Sequence, residues 1–161
     1  MIGRLWWRAH VDGARPEEVE TFAAIHAEGF RRMWSAHDFQ TLMADPSVFV
    51  LAVRLLSPLG ARKIAGFVTV RFAADEAEIL TIAVGARHRR HGYGKLLMED
   101  VIRRLYRERI AALFLEVDRT NKAAVGLYQR LGFTIAGERK HYYANPTAGD
   151  GTALVMRLQV R

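Results

Sequence analysis

Residues 78–95 read EILTIAVGARHRRHGYGK, and this stretch decides the fold. Its first half is an apolar run of strand length, and its second half carries two glycines, Gly92 and Gly94, among basic residues. The residues that come next place apolar side chains at helical spacing, at Leu96, Leu97, Val101, Ile102 and Leu105. The predicted order is therefore strand, glycine loop, helix.

A glycine loop that opens a helix is a candidate phosphate site. The first turn of a helix has backbone N–H groups without partners and the positive end of the helix dipole, and glycines let a ligand approach the backbone. Fixed positive charge surrounds this loop, at Arg89, Arg90 and Lys95. The pattern Gly-x-Gly is weak evidence by itself, because most such loops are plain turns. The interpretation therefore depends on the rest of the chain.

A second strand and helix follow further on. Residues 111–117, AALFLEV, form an apolar run that one carboxylate, Glu116, interrupts, and residues 118–121 read DRTN. A short helix is predicted from about Lys122, and it ends within the segment LYQRLGF, residues 127–133.

In these residues the chain resembles the GCN5-related N-acetyltransferases, the GNAT family. The acetyl-coenzyme A loop of that family has the pattern Gln/Arg-x-x-Gly-x-Gly/Ala, which Arg89, Gly92 and Gly94 match. The family's next helix carries an Asn and a Leu-Tyr-x-x-x-Gly-Phe motif, and Asn121 and residues 127–133 match these. The motifs occur in the order that the family has.

The resemblance covers the chain from about Gly66 onward and implies fold, activity and cosubstrate. It implies one α/β domain, residues 1–161, with a central mixed, mostly antiparallel sheet flanked by helices. It also implies an N-acetyltransferase that uses acetyl-CoA and no metal, with direct attack in a ternary complex. The residues that it assigns to acetyl-CoA are Ile82, Ala83, Val84, Arg89, Arg90, His91, Gly92, Tyr93, Gly94, Lys95 and Asn121.

Glu116 is the candidate general base. Alternation along a strand predicts that its side chain lies on the opposite face from Leu115 and Val117. An amine must lose its proton before it attacks a thioester, and a carboxylate at the end of an apolar strand can take that proton directly or through water. Such a glutamate can also face solvent or pair with an arginine. The family resemblance favours the base.

Tyr128 is the candidate general acid. A tyrosine hydroxyl has a reference pKa of about 10, stays protonated at neutral pH, and can donate to the departing coenzyme A thiolate. The family motif implies this role, and the alternative is a tyrosine packed at the edge of the core. Asn121 is as well suited to cap its helix as to contact the cofactor, and one residue can do both.

The predicted acceptor is the α-amine of a peptide. Residues 82–84, residues 115–117 and the segment RKHYY, residues 139–143, resemble the bacterial RimI-type ribosomal-protein-alanine N-acetyltransferases, which modify the N-terminus of a small-subunit ribosomal protein. Tyr142 and Tyr143 suit contact with a peptide, because their rings are rigid and their hydroxyls reach backbone groups; cross-strand packing is the alternative. Acetylation of a lysine or a small-molecule amine, and a non-catalytic acyl-CoA-binding module, remain open as other functions.

Composition and charge set the outer limits. The chain has 161 residues, no cysteine and a net charge of +7. The size suits one domain, and the missing cysteine excludes disulfides and a cysteine nucleophile. No long apolar stretch and no signal-like segment occur, which predicts a soluble cytoplasmic protein without a membrane segment. The basic surplus indicates a solvated helix face or proximity to ribosomal RNA, and no motif for sequence-specific nucleic acid binding occurs. Oligomeric state does not follow from the sequence.

The other segments predict further helices and strands. Proline and acidic residues in a first turn, a serine cap and β-branched runs between turns provide the signals. The predicted elements are a strand at 5–9, a helix from residue 16, a helix capped by Ser35 and ending before Pro46, strands at 49–55 and 63–72, and a terminal hairpin of 139–144 with 153–160.

Overall fold

The computed structural model describes residues 7–30, 32–140 and 151–161. Within these ranges the chain forms seven strands, four α-helices and two 3-10 helices. The strands are β1 Arg8–Gly13, β2 Val48–Leu56, β3 Arg62–Ala73, β4 Glu76–Val84, β5 Ala112–Asp118, β6 Thr134–Arg139 and β7 Ala153–Gln159. The α-helices are α1 Val19–Gly29, α2 Ala36–Ala44, α3 Tyr93–Arg107 and α4 Lys122–Arg130, and the 3-10 helices are Pro16–Glu18 and Ala86–His88.

The strands form a mixed sheet in the order β1-β2-β3-β4-β5-β7-β6. β1 with β2, β2 with β3, β5 with β7 and β6 with β7 are antiparallel, whereas β4 pairs with β5 in parallel over Glu76 to Glu78. The predicted α/β class with a mixed, mostly antiparallel sheet is confirmed. The chain divides into two compact units, one of Met1–Arg71 with Leu80–Arg103 and the other of Phe72–Ile79 with Arg104–Arg161.

Three phenylalanines form the centre of the first unit. Phe22 of α1, Phe39 of α2 and Phe67 of β3 are fully buried. Their ring centroids lie 5.1 to 5.9 Å apart in tilted and edge-on arrangements, which aromatic pairs prefer over face-to-face stacking. α2 begins with the predicted serine cap. Ser35 Oγ accepts a hydrogen bond from the N–H of Asp38, and the Asp38 carboxylate accepts one from the N–H of Ser35. The contacts among the three rings hold both helices against β3.

In the second unit, buried and partly buried residues alternate along β5. Leu113 and Leu115 are buried, as is Met156 on the neighbouring strand β7. The residues between them on β5 are only partly buried. One face of β5 therefore belongs to the core, and the other face is free to carry polar groups.

The two edge strands differ in range from the predicted strands. β1 is Arg8–Gly13, whereas a strand is predicted at 5–9, of which residues 5 and 6 lie outside the described residues; β6 is Thr134–Arg139, whereas a strand is predicted at 139–144. Of that predicted strand, residues 141–144 lie outside the described residues. β1 and β6 are the two ends of the sheet and are mostly exposed, so neither shows the apolar alternation that marks a half-buried strand.

Candidate active site

The glycine loop has the predicted order of elements. β4 ends at Val84, and α3 begins at Tyr93. Gly92 has a φ of +79°, and a Cβ at this position would meet no atom within 4 Å. The glycine is therefore required by the backbone angle and not by crowding within the protein. Arg90 also has a positive φ, of 65°.

The start of α3 fits a phosphate group. The N–H of Leu96 donates to the carbonyl of Gly92, 3.0 Å away. The N–H groups of Tyr93, Gly94 and Lys95 lie in the first turn, ahead of this bond, where helices bind anions. Lys95 is exposed, and its Nζ lies 3.7 Å from Oε1 of Glu99. Such an exposed ion pair is weak, so the Lys95 ammonium can still contribute positive charge beside the loop. This loop can hold the pyrophosphate of acetyl-CoA.

The end of β4 fits an extended amide-bearing ligand. Ile82, Ala83 and Val84 lie beyond the stretch in which β4 pairs with β5, which ends at Glu78. Their other side faces β3 so closely that a Cβ on Gly66 would lie 2.6 Å from the carbonyl oxygen of Ala83. A strand with backbone groups beyond its pairing can bind a ligand by strand addition. The side chains alternate, with Ala83 buried and its two neighbours half-buried.

Three side chains form hydrogen bonds with the backbone of the loop between β4 and α3. Glu28, in the last turn of α1, accepts a hydrogen bond from the N–H of Ala86 at 2.6 Å. The Nε of Arg89 donates to the carbonyl of Val84 at 3.2 Å, so part of this guanidinium supports the loop. The Nδ1 of His91 lies 2.8 Å from the carbonyl oxygen of Arg89. Arg89 and His91, predicted as ligand residues, therefore also have structural contacts.

Glu116 lies on the partly exposed face of β5. Leu115 and Val117 are buried on the other face, so its predicted orientation is confirmed. The side chain is 18% exposed, and its Oε1 lies 3.0 Å from the Nε of Arg139. Pairing with an arginine was one of the alternatives left open by the sequence, and the structure has this pair. A paired carboxylate still carries a second oxygen that can accept a proton.

Tyr128 and Asn121 lie at the two ends of α4. Tyr128 is buried, and its ring centroid is 5.8 Å from that of Phe133. Asn121 caps the helix as predicted, because its side chain accepts from the N–H of Ala124 at 3.3 Å. The roles of Tyr128 as an acid and of Asn121 as a cofactor ligand stay predictions. Tyr142 and Tyr143 lie outside the described residues.

Sequence reasoning missed the contacts of Glu28 and of Arg139. Glu28 had a detectable signal, because a carboxylate in the last turn of a helix is unfavourable against the helix dipole and indicates a partner outside the helix. Arg139 had none, because its contact depends on β7 lying between β5 and β6, an order that the sequence does not predict.

A model of the acetyltransferase (GNAT) family matches residues 11–133. The chain belongs to the GNAT family. This GNAT chain is 39% identical to the [ribosomal protein bS18]-alanine N-acetyltransferase of Escherichia coli over 98 residues, which cover 61% of this chain and 66% of that protein, just under two thirds of its length. It is 36% identical to the enzyme of that name from Haemophilus influenzae over 139 residues, 86% of this chain and 90% of the relative.

The crystal structure of the ribosomal-protein-S18-alanine N-acetyltransferase from Escherichia coli has the same fold. It superposes with a TM-score of 0.83 at 28% identity and covers 95% of this chain and 94% of its own. The predicted family is confirmed. Among the described helices, none has the length and apolar character to cross a membrane.

Proposed function

We propose that this GNAT protein acetylates the N-terminal α-amine of a protein, namely a ribosomal protein that begins with alanine. The observation that carries this proposal is the 36% identity to the Haemophilus influenzae ribosomal-protein-alanine acetyltransferase over 86% of this chain and 90% of that one. Similarity over nearly the whole of both chains includes the segments outside the cofactor motifs, where members of one fold differ in their substrates.

The cofactor proposal rests on the two features of the first unit that fit acetyl-CoA. The first turn of α3, with Gly92, Gly94 and Lys95, receives the pyrophosphate. The backbone at the end of β4, Ile82 to Val84, receives the amide-bearing arm. Acetyl-CoA supplies the acetyl group as a thioester, which a neutral amine can attack directly.

The chemical proposal assigns one proton transfer to each of two side chains. Glu116 takes a proton from the α-amine of the acceptor, and the neutral nitrogen forms the new bond to the acetyl carbon. As the carbon–sulfur bond breaks, Tyr128 gives its hydroxyl proton to the departing thiolate, and the second proton that the nitrogen loses on becoming an amide restores the tyrosine hydroxyl. The products are the N-acetyl peptide and free coenzyme A, and positioned groups of this kind contribute about 10²- to 10⁴-fold to a rate. Both side chains belong to the second unit.

The proposal extends to the domain and the place of action. Residues 1–161 act as one catalytic domain, and a ribosomal protein as acceptor places the reaction in the cytoplasm. Tyr142 and Tyr143 are proposed to contact the acceptor peptide. The basic surplus of the chain, +7, favours approach to a ribosomal surface rich in phosphate.

The test is a direct assay of acceptor choice. Purified protein and acetyl-CoA are incubated with peptides that begin with alanine and contain internal lysines, and tandem mass spectrometry locates the acetyl groups. One acetyl group at the α-nitrogen is expected, and a matched peptide with a blocked N-terminus should remain unmodified. Acetyl groups on lysine side chains, or on a small amine and on no peptide, would overturn the assigned acceptor.

A further inference from the structure

Arg139 is the last residue of β6, and its side chain reaches Glu116 two strands away. β7 lies between β6 and β5, and its residue Val155 pairs with Glu116 on one side and with Gly137 on the other. The Nε of Arg139 is nevertheless 3.0 Å from Glu116 Oε1. The arginine side chain therefore crosses β7 to reach the carboxylate.

Small residues leave room for this crossing. Residues two apart on a strand share a face, so Gly137 and Arg139 project to the same side of the sheet. A Cβ on Gly137 would meet no atom within 4 Å, which shows that the space beside Val155 is open. The β7 residue that pairs with Arg139 is Ala153, which is also small.

The carboxylate at the next position on this face has a different role. Asp118 pairs with Ala153, as Arg139 does from the other side, so both lie at one level of the sheet. Its Oδ1 accepts from the backbone N–H and the hydroxyl of Thr120, at 2.8 and 2.7 Å. Asp118 therefore shapes the turn that leads into α4, and Glu116 is the carboxylate that Arg139 holds.

We propose that Arg139 is a positioning residue for Glu116, an inference that rests on the proposed role of Glu116 as the base. A glutamate side chain has three rotatable bonds, and a free carboxylate on a sheet face samples several orientations. The contact at Oε1 fixes one orientation and leaves Oε2 to take the proton of the incoming amine. Holding a reacting group in one geometry lowers the entropic part of the barrier.

The same geometry predicts that Arg139 contributes little to stability. Its side chain is 59% exposed, and ion pairs with a solvent-exposed partner contribute little to folding. A substitution at Arg139 should therefore change the rate without unfolding the protein. Thermal denaturation of each variant checks this point before its kinetics are measured.

The kinetic test compares Arg139→Ala and Arg139→Lys with Arg157→Ala. Arg157 is the matched control, because it lies on β7, with its guanidinium over the ring of Phe114 and donating to Gln159. Arg139→Ala should lower kcat about 10-fold and leave the KM for acetyl-CoA within about twofold, as expected for a group that acts on the chemical step. Arg139→Lys should retain an intermediate rate, and Arg157→Ala should match the wild type.

Two further measurements separate positioning from a structural role. Millimolar guanidinium should restore part of the kcat of Arg139→Ala and leave that of Arg157→Ala unchanged. In the Glu116→Gln background, Arg139→Ala should lower kcat by less than about twofold, because the carboxylate through which Arg139 acts has been removed. The proposal would be overturned if Arg139→Ala lowered kcat by the same factor in the wild type and in Glu116→Gln. A change confined to KM would also overturn it.

A measurement that needs no acceptor peptide separates failure of the positioning role of Arg139 from failure of the proposed function. If the wild type acetylates no peptide, the proposed acceptor is wrong, and the ¹³C NMR resonance of the Glu116 carboxylate still tests the pair. The resonance should move in Arg139→Ala and stay in place in Arg157→Ala. An unmoved resonance in Arg139→Ala would overturn the positioning role.

Discussion

Glu28 and Ala86 join the last turn of α1 to the loop that follows β4. The carboxylate oxygen Oε2 accepts from the backbone N–H of Ala86 at 2.6 Å, although the two residues are 58 positions apart in the chain. Ala86 opens the 3-10 helix Ala86–His88, which precedes the glycine loop. The position of the proposed cofactor loop therefore depends on a side chain that belongs to none of the family's cofactor motifs.

Removing this contact should weaken acetyl-CoA binding. A hydrogen bond of this kind contributes about 0.5–1.5 kcal/mol net, so Glu28→Ala should raise the Kd for acetyl-CoA by roughly 2- to 10-fold. Glu28→Gln keeps an acceptor oxygen and should retain most of the affinity. Calorimetric titration with acetyl-CoA measures the change, and Glu20→Ala, an exposed glutamate in the first turn of the same helix, is the control. Equal affinities for Glu28→Ala and Glu20→Ala would contradict the role given to Glu28.

Glu116→Gln and Tyr128→Phe should each slow the chemical step. Each change removes one proton transfer and keeps the shape of the side chain, so kcat should fall by roughly 10² or more with acetyl-CoA affinity near that of the wild type. Release of the coenzyme A thiol follows the reaction without background, because the chain has no cysteine. Losses below about threefold in both variants would leave the two residues with structural roles alone.

His26 should make stability depend on pH. The side chain is buried, and burial lowers its pKa below the ordinary value of 6.5. It is stacked against Phe30 and Trp34, and its Nδ1 faces the backbone N–H of Trp34 at 3.4 Å, which suits the neutral ring. The unfolded chain therefore binds a proton at a higher pH than the folded chain does, so stability falls as the pH drops below 6.5.

Urea denaturation at pH 8 and at pH 5 measures this dependence. The wild type should lose stability between the two values, and His26→Asn, whose side-chain oxygen can take the place of Nδ1, should lose less. His37→Asn removes an exposed histidine from α2 and serves as the control. A pH dependence of His26→Asn identical to that of the wild type would exclude His26 as its source.

The sequence predicts those parts of the fold in which burial is patterned along the chain. β4, β5 and the helices that follow them have apolar periodicity and end signals, such as the Asn121 cap, and they lie where predicted. β1 and β6 carry little buried surface, and their positions are set by hydrogen bonds to β2 and β7. Such pairing leaves no trace in the hydrophobic pattern, so the sequence does not predict where β1 and β6 begin and end.

The candidate site divides in the same way. Glycine spacing and a helix start predict the proposed cofactor loop, because both are local in the chain. The partner of Glu116 was not predictable, since Arg139 reaches it only when β7 has been inserted between β5 and β6. A local motif therefore predicts the candidate reacting groups, and the sheet order decides which residues surround them.

Gly66 limits how β3 and β4 can slide past each other. Any side chain brought to that position would collide with the carbonyl of Ala83, and a slip by one residue would turn Ile82 and Val84 to the opposite face. Gly66 therefore helps to fix the pairing register of β3 and β4. A redesign of β4 for a bulkier acyl donor therefore has to keep Gly66. A change of register would alter which backbone amide groups of β4 face the proposed donor site.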